Sequence, residues 1–309
     1  MTGPVVPASG PATVAVVGLG AMGGPAAAAL GAAGHRVRGA DPSARARDRA
    51  AGAGVDVHED PAAAVRGAEL VLLSLPTPAV VLTVIDELAD ALADRVDGVL
   101  VADLSTTGPE AAREAAARVR AAGGRFVDAP ILGRPAACGR WTLVCGGDAT
   151  DVDRLRALSV GVLAAGVERI GAVGAGATLK VLNNLMFGAI NAVTAEVVDL
   201  AERAGLDPAR FAAVVAGSGA ATVSPLFADL APRMAARDYA PTFTVDLLAK
   251  DVGLGVRLAD GLGVEATVSR TVARLTAAAS AAGLGARDTA ALVEPLRDRP
   301  ADGPADPAR

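Results

Sequence analysis

The sequence has no glutamine, only three asparagines, two lysines, two histidines and two cysteines, and very few aromatic residues (2%). Each scarcity excludes something. Cys138 and Cys145 form no C-x-x-C pair, and His35 and His58 are remote from each other in the chain, so neither a disulfide framework nor a zinc site is signalled and no metal is expected. Such cysteine usage suits a reducing cytoplasm. The scarce aromatics offer no stacking platform for single strands, and a formal charge of -5 from 34 acidic and 29 basic residues gives no electrostatic footprint for nucleic acid. No charged side chain occurs before Arg36, yet the opening stretch has no basic n-region and is broken at Pro4, Pro7, Pro11 and Pro25. It reads as a disordered start over residues 1–12, with no membrane partner.

What is present is alanine, about a quarter of the chain, with valine and leucine, a composition suited to close helix packing. The length of 309 residues predicts two domains. From Thr13, short β-rich runs (TVAVVGL, RVRGA, a segment near Val55, LVLLSL, VLVADL, FVDAP, WTLVC) alternate with Ala-rich helical stretches. That alternation predicts an α/β fold, a doubly wound and mostly parallel sheet, over residues 13–175. Thr107, Pro109 and Glu110 read as N-cap, first-turn proline and capping-box partner of one of its helices. The stretch from 178 to 204 contains no proline and reads as one long interdomain helix. It opens an all-α C-terminal domain over 176–296, in which no strand is expected. The Pro-rich, charged stretch 297–309 is expected to be disordered.

Gly18, Gly20 and Gly23 form G-x-G-x-x-G directly after a predicted strand and before a predicted helix. The first glycine permits the tight turn, the second lets backbone approach a pyrophosphate, and the third lets helix pack on strand, while the helix N-terminus offers N–H groups to the anion. Gly18, Leu19, Gly20, Ala21, Met22 and Gly23 are therefore the candidate phosphate cradle. In a chain with 36 glycines this spacing alone is weak, and Asp41 adds to it. It ends the second predicted strand, 18 residues beyond Gly23, near the spacing of about 20 at which a carboxylate meets the adenosine ribose. A carboxylate there repels a 2′-phosphate, and Pro42 stands where an arginine would be wanted, so NAD is favoured and NADP is the second choice. The bland reading of Asp41 is an Asp-Pro turn.

Lys180 and Lys250 are the two lysines beside 27 arginines, and Asn183, Asn184 and Asn191 are the three amides. Arginine cannot lose its proton; lysine can, which makes it the residue for acid/base work. Lys180, Asn184, Phe187 and Asn191 fall at i, i+4, i+7 and i+11, one face of the long helix. Lys180 with Asn184 reads as a proton donor and its orienting partner, whereas Asn191 alone reads better as a core hydrogen bond.

With these motifs the chain resembles the β-hydroxyacid dehydrogenases, the family of 3-hydroxyisobutyrate dehydrogenase and tartronate semialdehyde reductase. The resemblance runs from about Thr13 to Pro295. It is carried by VVGLGAMGGPAA, LPTPAVV, ADLSTTGPEAAR, FVDAPILGRPAACGRWTLVCGG, GAGATLKVLNNLMFGAINAVTAEVVDLAERAGLD, APTFTVDLLAKDVGLGVRLA and GLGARDTAAL. It implies an N-terminal Rossmann domain, a long interdomain helix, and a helical C-terminal domain that completes the site and makes the contact of a homodimer or homotetramer. It implies a small-molecule substrate and catalysis by Lys180 with Asn184. By the same matching, Lys250 closes over the cofactor, Thr106 lies by the nicotinamide ribose, and Leu75 and Pro76 line the adenosine side.

Where the family usually reads D-A-P-V-S-G-G, whose serine and glycines receive a carboxylate, this chain has Ile131, Leu132, Gly133 and Arg134. Leu132 cannot donate a hydrogen bond. Ser105, Leu132, Gly133 and Arg134 are the candidate substrate residues, Arg134 being able to grip a carboxylate with two parallel bonds; Cys138 and Trp141 read as packing residues. The resulting expectation is an NAD(P)-dependent oxidoreductase moving a hydride between nicotinamide and a short β-hydroxy acid or its semialdehyde. Two alternatives stand beside it: an imine reductase of the same superfamily, and an NAD-sensing module without turnover.

Overall fold

The computed structural model describes residues 11–93, 98–220 and 222–297. They divide into two compact units, one ending at Lys180 and the other beginning at Val181. The first unit carries nine strands: β1 (Thr13–Val17), β2 (Arg36–Ala40), β3 (Asp56–His58), β4 (Leu70–Leu73), β5 (Leu100–Asp103), β6 (Arg125–Asp128), β7 (Ile131–Leu132), β8 (Trp141–Gly146) and β9 (Ala164–Gly171). Between them lie α1 (Gly23–Ala32), α2 (Ala44–Ala51), α3 (Pro61–Val65), α4 (Pro78–Glu87), α5 (Ala89–Ala93), α6 (Pro109–Ala121) and α7 (Ala149–Ser159). The sheet runs β3-β2-β1-β4-β5-β6-β8-β7, with β9 also paired to β8. It is parallel from β3 through to β6, and antiparallel where β8 meets β6 and β7.

Strand period explains why this sheet needs helices on both sides. Val14, Val16, Leu70, Leu72, Leu100 and Ala102 point into one apolar cluster, while Ala15, Val17, Val71, Leu73, Val99 and Val101 point into another. Strands buried on both faces read as continuous apolar runs, which is how they were legible. Two strands were not. β7 has two residues, and β9 (AAGVERIG) carries Glu168 and Arg169 with half of its positions exposed, so it shows no apolar run.

A single helix, α8 (Ala175–Arg203), crosses from the first unit into the second. It starts three residues before the expected 178 because the buried carboxylate of Asp128 accepts the N–H groups of Gly174 and Ala177 and fixes an earlier first turn. By length and composition α8 is long and apolar enough to cross a membrane, a segment the sequence reading did not identify. One face of it is buried, with Asn184, Asn191 and Thr194 beside Ala195 and Val198 in the core of the second unit, while Leu182, Met186, Val193 and Leu200 on another face are exposed.

The second unit continues with α9 (Pro208–Gly217), α10 (Pro225–Ala236), α11 (Val245–Gly261), α12 (Thr267–Ala279) and α13 (Glu294–Arg297). Asp207, Ser224 and Thr244 cap three of these helices with side-chain oxygens. Among the described residues it has no strand, only an isolated bridge between Thr244 and Asp288.

Three expectations need correction. Thr107 does not cap α6: Gly108 occupies that position at φ +81°, and the Thr107 hydroxyl donates to Asp103 instead. Order begins by Ala12, which is buried and whose N–H donates to His35 Nδ1 at 3.2 Å; the rest of the expected disordered start, residues 1–10, lies outside the described residues. Arg297 belongs to α13 and pairs with Glu202 and Glu294, while 298–309 lie outside the described residues.

Candidate active site

The glycine turn joins β1 to α1 and is built by close backbone approach. Gly18 has φ +93°, and a Cβ there would lie 2.2 Å from the Ser74 carbonyl oxygen; one on Gly23 would lie 1.9 Å from the Gly18 carbonyl oxygen. No side chain fits at either position. Gly20 differs: it is exposed, and a Cβ on it would meet nothing within 4 Å. The open space above Gly20 would let a pyrophosphate approach the backbone, so these residues fit a dinucleotide. Leu19 is buried in the core, its methyl groups filling the space that a Cβ on Gly39 would need, and Ala21 is exposed while Met22 packs on that core. Asp41 closes the turn from the neighbouring strand. Its Oδ2 accepts the Leu19 N–H and its Oδ1 the Ser43 N–H, both at 2.8 Å, and Arg47 donates to its main-chain carbonyl at 2.7 Å.

The ends of β4 and β5 come together beside this turn. The Ser105 hydroxyl accepts the Leu75 N–H at 2.8 Å, and the Ser105 N–H donates to Asp103 Oδ1 at 3.0 Å. Leu75 and Thr106 are half-buried and Pro76 is exposed, all at the carboxyl ends of parallel strands, where open α/β sheets bind ligands. Ser105 is buried, and its oxygen serves as a link between two strand ends.

Lys180 is brought to the suspected substrate segment. Its Nζ donates to the Ile131 carbonyl at 2.8 Å, one residue before Leu132. Leu132 is half-buried, and Gly133 and Arg134 are exposed. Trp141 is fully buried and donates its indole N–H to the Arg134 carbonyl at 2.8 Å; its ring fills the space that a Cβ on Gly133 would need. Trp141 is thus a packing residue, and Cys138 packs against the same core.

In the second unit, Asn184 is buried and donates to Asp251 Oδ2 at 2.6 Å, while its own carbonyl accepts from Asn183. Lys250 Nζ lies 2.8 Å from Asp251 Oδ1. Asp251, 2% exposed, therefore holds both residues, one through each oxygen. Phe187 makes an edge-to-face contact with Phe243 at 5.4 Å, and Asn191 is fully buried and donates to the Phe187 carbonyl of its own helix. Both are core residues. Sequence reasoning missed Asp103, Asp128 and Asp251. Asp103 and Asp128 were in view as acids inside otherwise apolar motifs (ADL, VDAP), a pattern that signals a buried carboxylate with assigned partners, and Asp251 as the acid next to the rare Lys250.

Two family profiles tile the chain: the NAD binding domain of 6-phosphogluconate dehydrogenase over residues 13–171, and the NAD-binding of NADP-dependent 3-hydroxyisobutyrate dehydrogenase over 174–296. The 3-sulfolactaldehyde reductase of Escherichia coli is 31% identical over 291 residues, 93% of this chain and 96% of that protein. The chain belongs to the β-hydroxyacid dehydrogenase family. A solved structure of Mycobacterium tuberculosis 3-hydroxyisobutyrate dehydrogenase with L-serine matches with a TM-score of 0.82 at 31% identity, covering 93% of this chain and all of that one. An imine reductase from Pseudomonas sp. matches more distantly, with a TM-score of 0.60 at 24% identity over 93% of this chain and all of that one. As a β-hydroxyacid dehydrogenase, the protein is an NAD(P)-dependent oxidoreductase that performs hydride transfer.

Proposed function

We propose that this dehydrogenase interconverts a short β-hydroxy acid and its semialdehyde, with Lys180 as the general acid/base. The observation that carries the reading is the 2.8 Å bond from Lys180 Nζ to the Ile131 carbonyl, which holds the amine beside Leu132, Gly133 and Arg134. When bound, the nicotinamide accepts or supplies the hydride. Lys180 takes the hydroxyl proton in oxidation and returns one to the carbonyl oxygen in reduction. Asn184, one helical turn on along α8, orients the reacting oxygen, and Asp251 fixes the Asn184 amide so that its carbonyl and amino ends cannot exchange. Ser105 and Arg134 receive the acid group, with Leu132 and Gly133 beside them. Gly18 to Gly23 hold the pyrophosphate, Leu75 and Pro76 line the adenosine, Thr106 meets the nicotinamide ribose, and Lys250 closes over the cofactor. In this reading residues 13–175 bind the dinucleotide and 176–296 form the helical domain, although the compact units themselves divide between Lys180 and Val181. The free thiols of Cys138 and Cys145 suit a reducing cytoplasm.

The test is consumption of NADH and of NADPH against glyoxylate, tartronate semialdehyde, succinate semialdehyde, methylmalonate semialdehyde and a cyclic imine. Turnover of an aldehyde acid is expected; turnover of the imine alone would overturn the acid reading and leave the imine reductase alternative. Binding of NADH without turnover of any of them would favour the sensing module.

NAD is the preferred cofactor in this reading, because each Asp41 oxygen keeps a lone pair for a ribose hydroxyl after accepting its backbone N–H. Asp41→Ala is expected to lower kcat/KM for NADH by about tenfold or more, the scale of one lost charged hydrogen bond, and to shift the NADPH/NADH ratio toward NADPH, whose 2′-phosphate is no longer repelled. A wild-type preference of tenfold or more for NADPH would sink the assignment.

A second copy of the chain is the proposed occupant of the exposed face of α8. Leu182, Met186, Val193 and Leu200 are all more than half exposed and recur at i, i+4, i+11 and i+18, so they form one apolar stripe. Sedimentation at micromolar concentration is expected to give a dimer or tetramer, and Met186→Glu with Val193→Glu to give monomer. A wild-type monomer would refute it.

A further inference from the structure

Asp128 ends β6 and is 1% exposed, yet the proposed chemistry does not use it. Its two oxygens accept the N–H groups of Gly174 and Ala177, each at 2.8 Å, at the point where α8 begins. Around it the backbone is packed without side chains between. A Cβ on Gly146 would lie 2.5 Å from Asp128 Oδ1, and one on Gly176 would lie 2.2 Å from the Val144 carbonyl oxygen and 3.0 Å from Asp128 Oδ2. The first turn of α8 is therefore seated directly on β6 and β8. Three residues after Ala177 comes Lys180, whose Nζ returns to the Ile131 carbonyl, three residues after Asp128.

We propose that Asp128 is a positioning residue for Lys180: the short segment Asp128–Ile131 grips α8 at two points, the carboxylate holding its first-turn amides and the Ile131 carbonyl holding the amine. The functional weight of this rests on the reading of Lys180 as acid/base. The geometry does not. With the first turn released, Nζ would no longer be fixed relative to the Leu132–Arg134 segment, and misplacement by about an ångström costs on the order of a hundredfold in rate.

Burial pushes the Asp128 carboxyl up to about 6, against the lowering effect of the Gly174 and Ala177 bonds and with a further rise from Asp103. The titratable and charged groups around it are Asp103 on β5, Cys145 on β8 with its thiol pushed up to about 12, Arg113 of α6 beside Gly174, and Lys180 itself along α8. A carboxyl whose value is raised in the fold binds more protons folded than unfolded between about pH 4 and 6, so acidification through that window adds to stability instead of removing it. Acid loosening of the grip is thereby separable from unfolding.

The experiment uses the fact that the chain has two lysines. Reductive methylation with formaldehyde, followed peptide by peptide, reads Lys180 against Lys250 as an internal reference. Asp128→Asn keeps the volume but sets an NH₂ against one of the two N–H donors. It is expected to raise the Lys180 labelling rate at least threefold with Lys250 unchanged, and to lower kcat about tenfold or more on any aldehyde acid that is turned over, with NADH affinity unchanged. Labelling of Lys180 at the wild-type rate would overturn the proposal. Should the variant not fold, the wild-type protein answers: the Gly174 and Ala177 amides, held by a buried carboxylate, are expected to exchange at least tenfold more slowly than their intrinsic rate at pH 7.5, and exchange at the intrinsic rate would overturn it. Neither the labelling nor the exchange readout depends on Lys180 being catalytic, so a failed acid/base assignment shows separately, as turnover that survives Lys180→Met.

Discussion

Replacing Lys180 by methionine is expected to lower kcat by about 10²–10⁴-fold, the range that a positioned general acid/base contributes. Methionine keeps the unbranched stem and removes the proton-carrying group. Dinucleotide affinity should change by less than about twofold, because the glycine turn and Asp41 lie on other elements. The readout is steady-state oxidation of NADH or NADPH with the aldehyde acid that the wild type turns over, beside a dinucleotide titration followed through Trp141, the one tryptophan, which is buried on β8 of the same unit. Near wild-type turnover in a folded variant would remove Lys180 from the chemistry.

The second large effect concerns the glycine turn, where two of its glycines should fail in different ways. Gly23→Ala places a methyl group 1.9 Å from the Gly18 carbonyl oxygen and 3.1 Å from Ser74 Cβ, with backbone on the clashing side, so the turn must open. The expected loss is about 3 kcal/mol or more of stability in the first unit, in the tail that overpacking reaches. Gly20→Val projects into open space and clashes with nothing in the protein. It should leave the urea midpoint unchanged and weaken NADH and NADPH binding at least tenfold. Denaturation followed by Trp141 fluorescence separates the two. Equal stability loss in both variants would mean that Gly20 is a folding glycine and that no cofactor lies above it.

The sequence by itself determined the class of fold. The apolar runs at 14–17, 70–73 and 99–102 are continuous because these strands are buried on both faces, and the Ala-rich stretches between them have helical length and period. The glycine turn was legible for the same local reason: its strand, its spacing and its helix follow one another in the chain. Lys180, Asn184 and Lys250 stood out through scarcity, since the chain spends its other basic positions on arginine and has no other amides than Asn183 and Asn191 near them.

Tertiary structure decided what these residues touch. Nothing in the local sequence says that Ile131, 49 positions away, receives the Lys180 amine, or that Asp251, 67 positions from Asn184, holds its amide. Thr107 followed the local rule for an N-cap and was diverted, because the buried Asp103 takes its hydroxyl while Gly108 at φ +81° turns the chain into α6. β9 escaped notice because an edge strand shows solvent half of its side chains, Glu168 and Arg169 among them, and so has no apolar signature. The start of α8 moved for a similar reason. Helix ends are set by whichever group satisfies the free N–H donors, and here that group is Asp128, a carboxylate 46 residues upstream of Gly174. Periodicity and composition are local and survive in the sequence; hydrogen-bond partners of buried polar groups are fixed only when distant segments pack, and the candidate site is made of those partners.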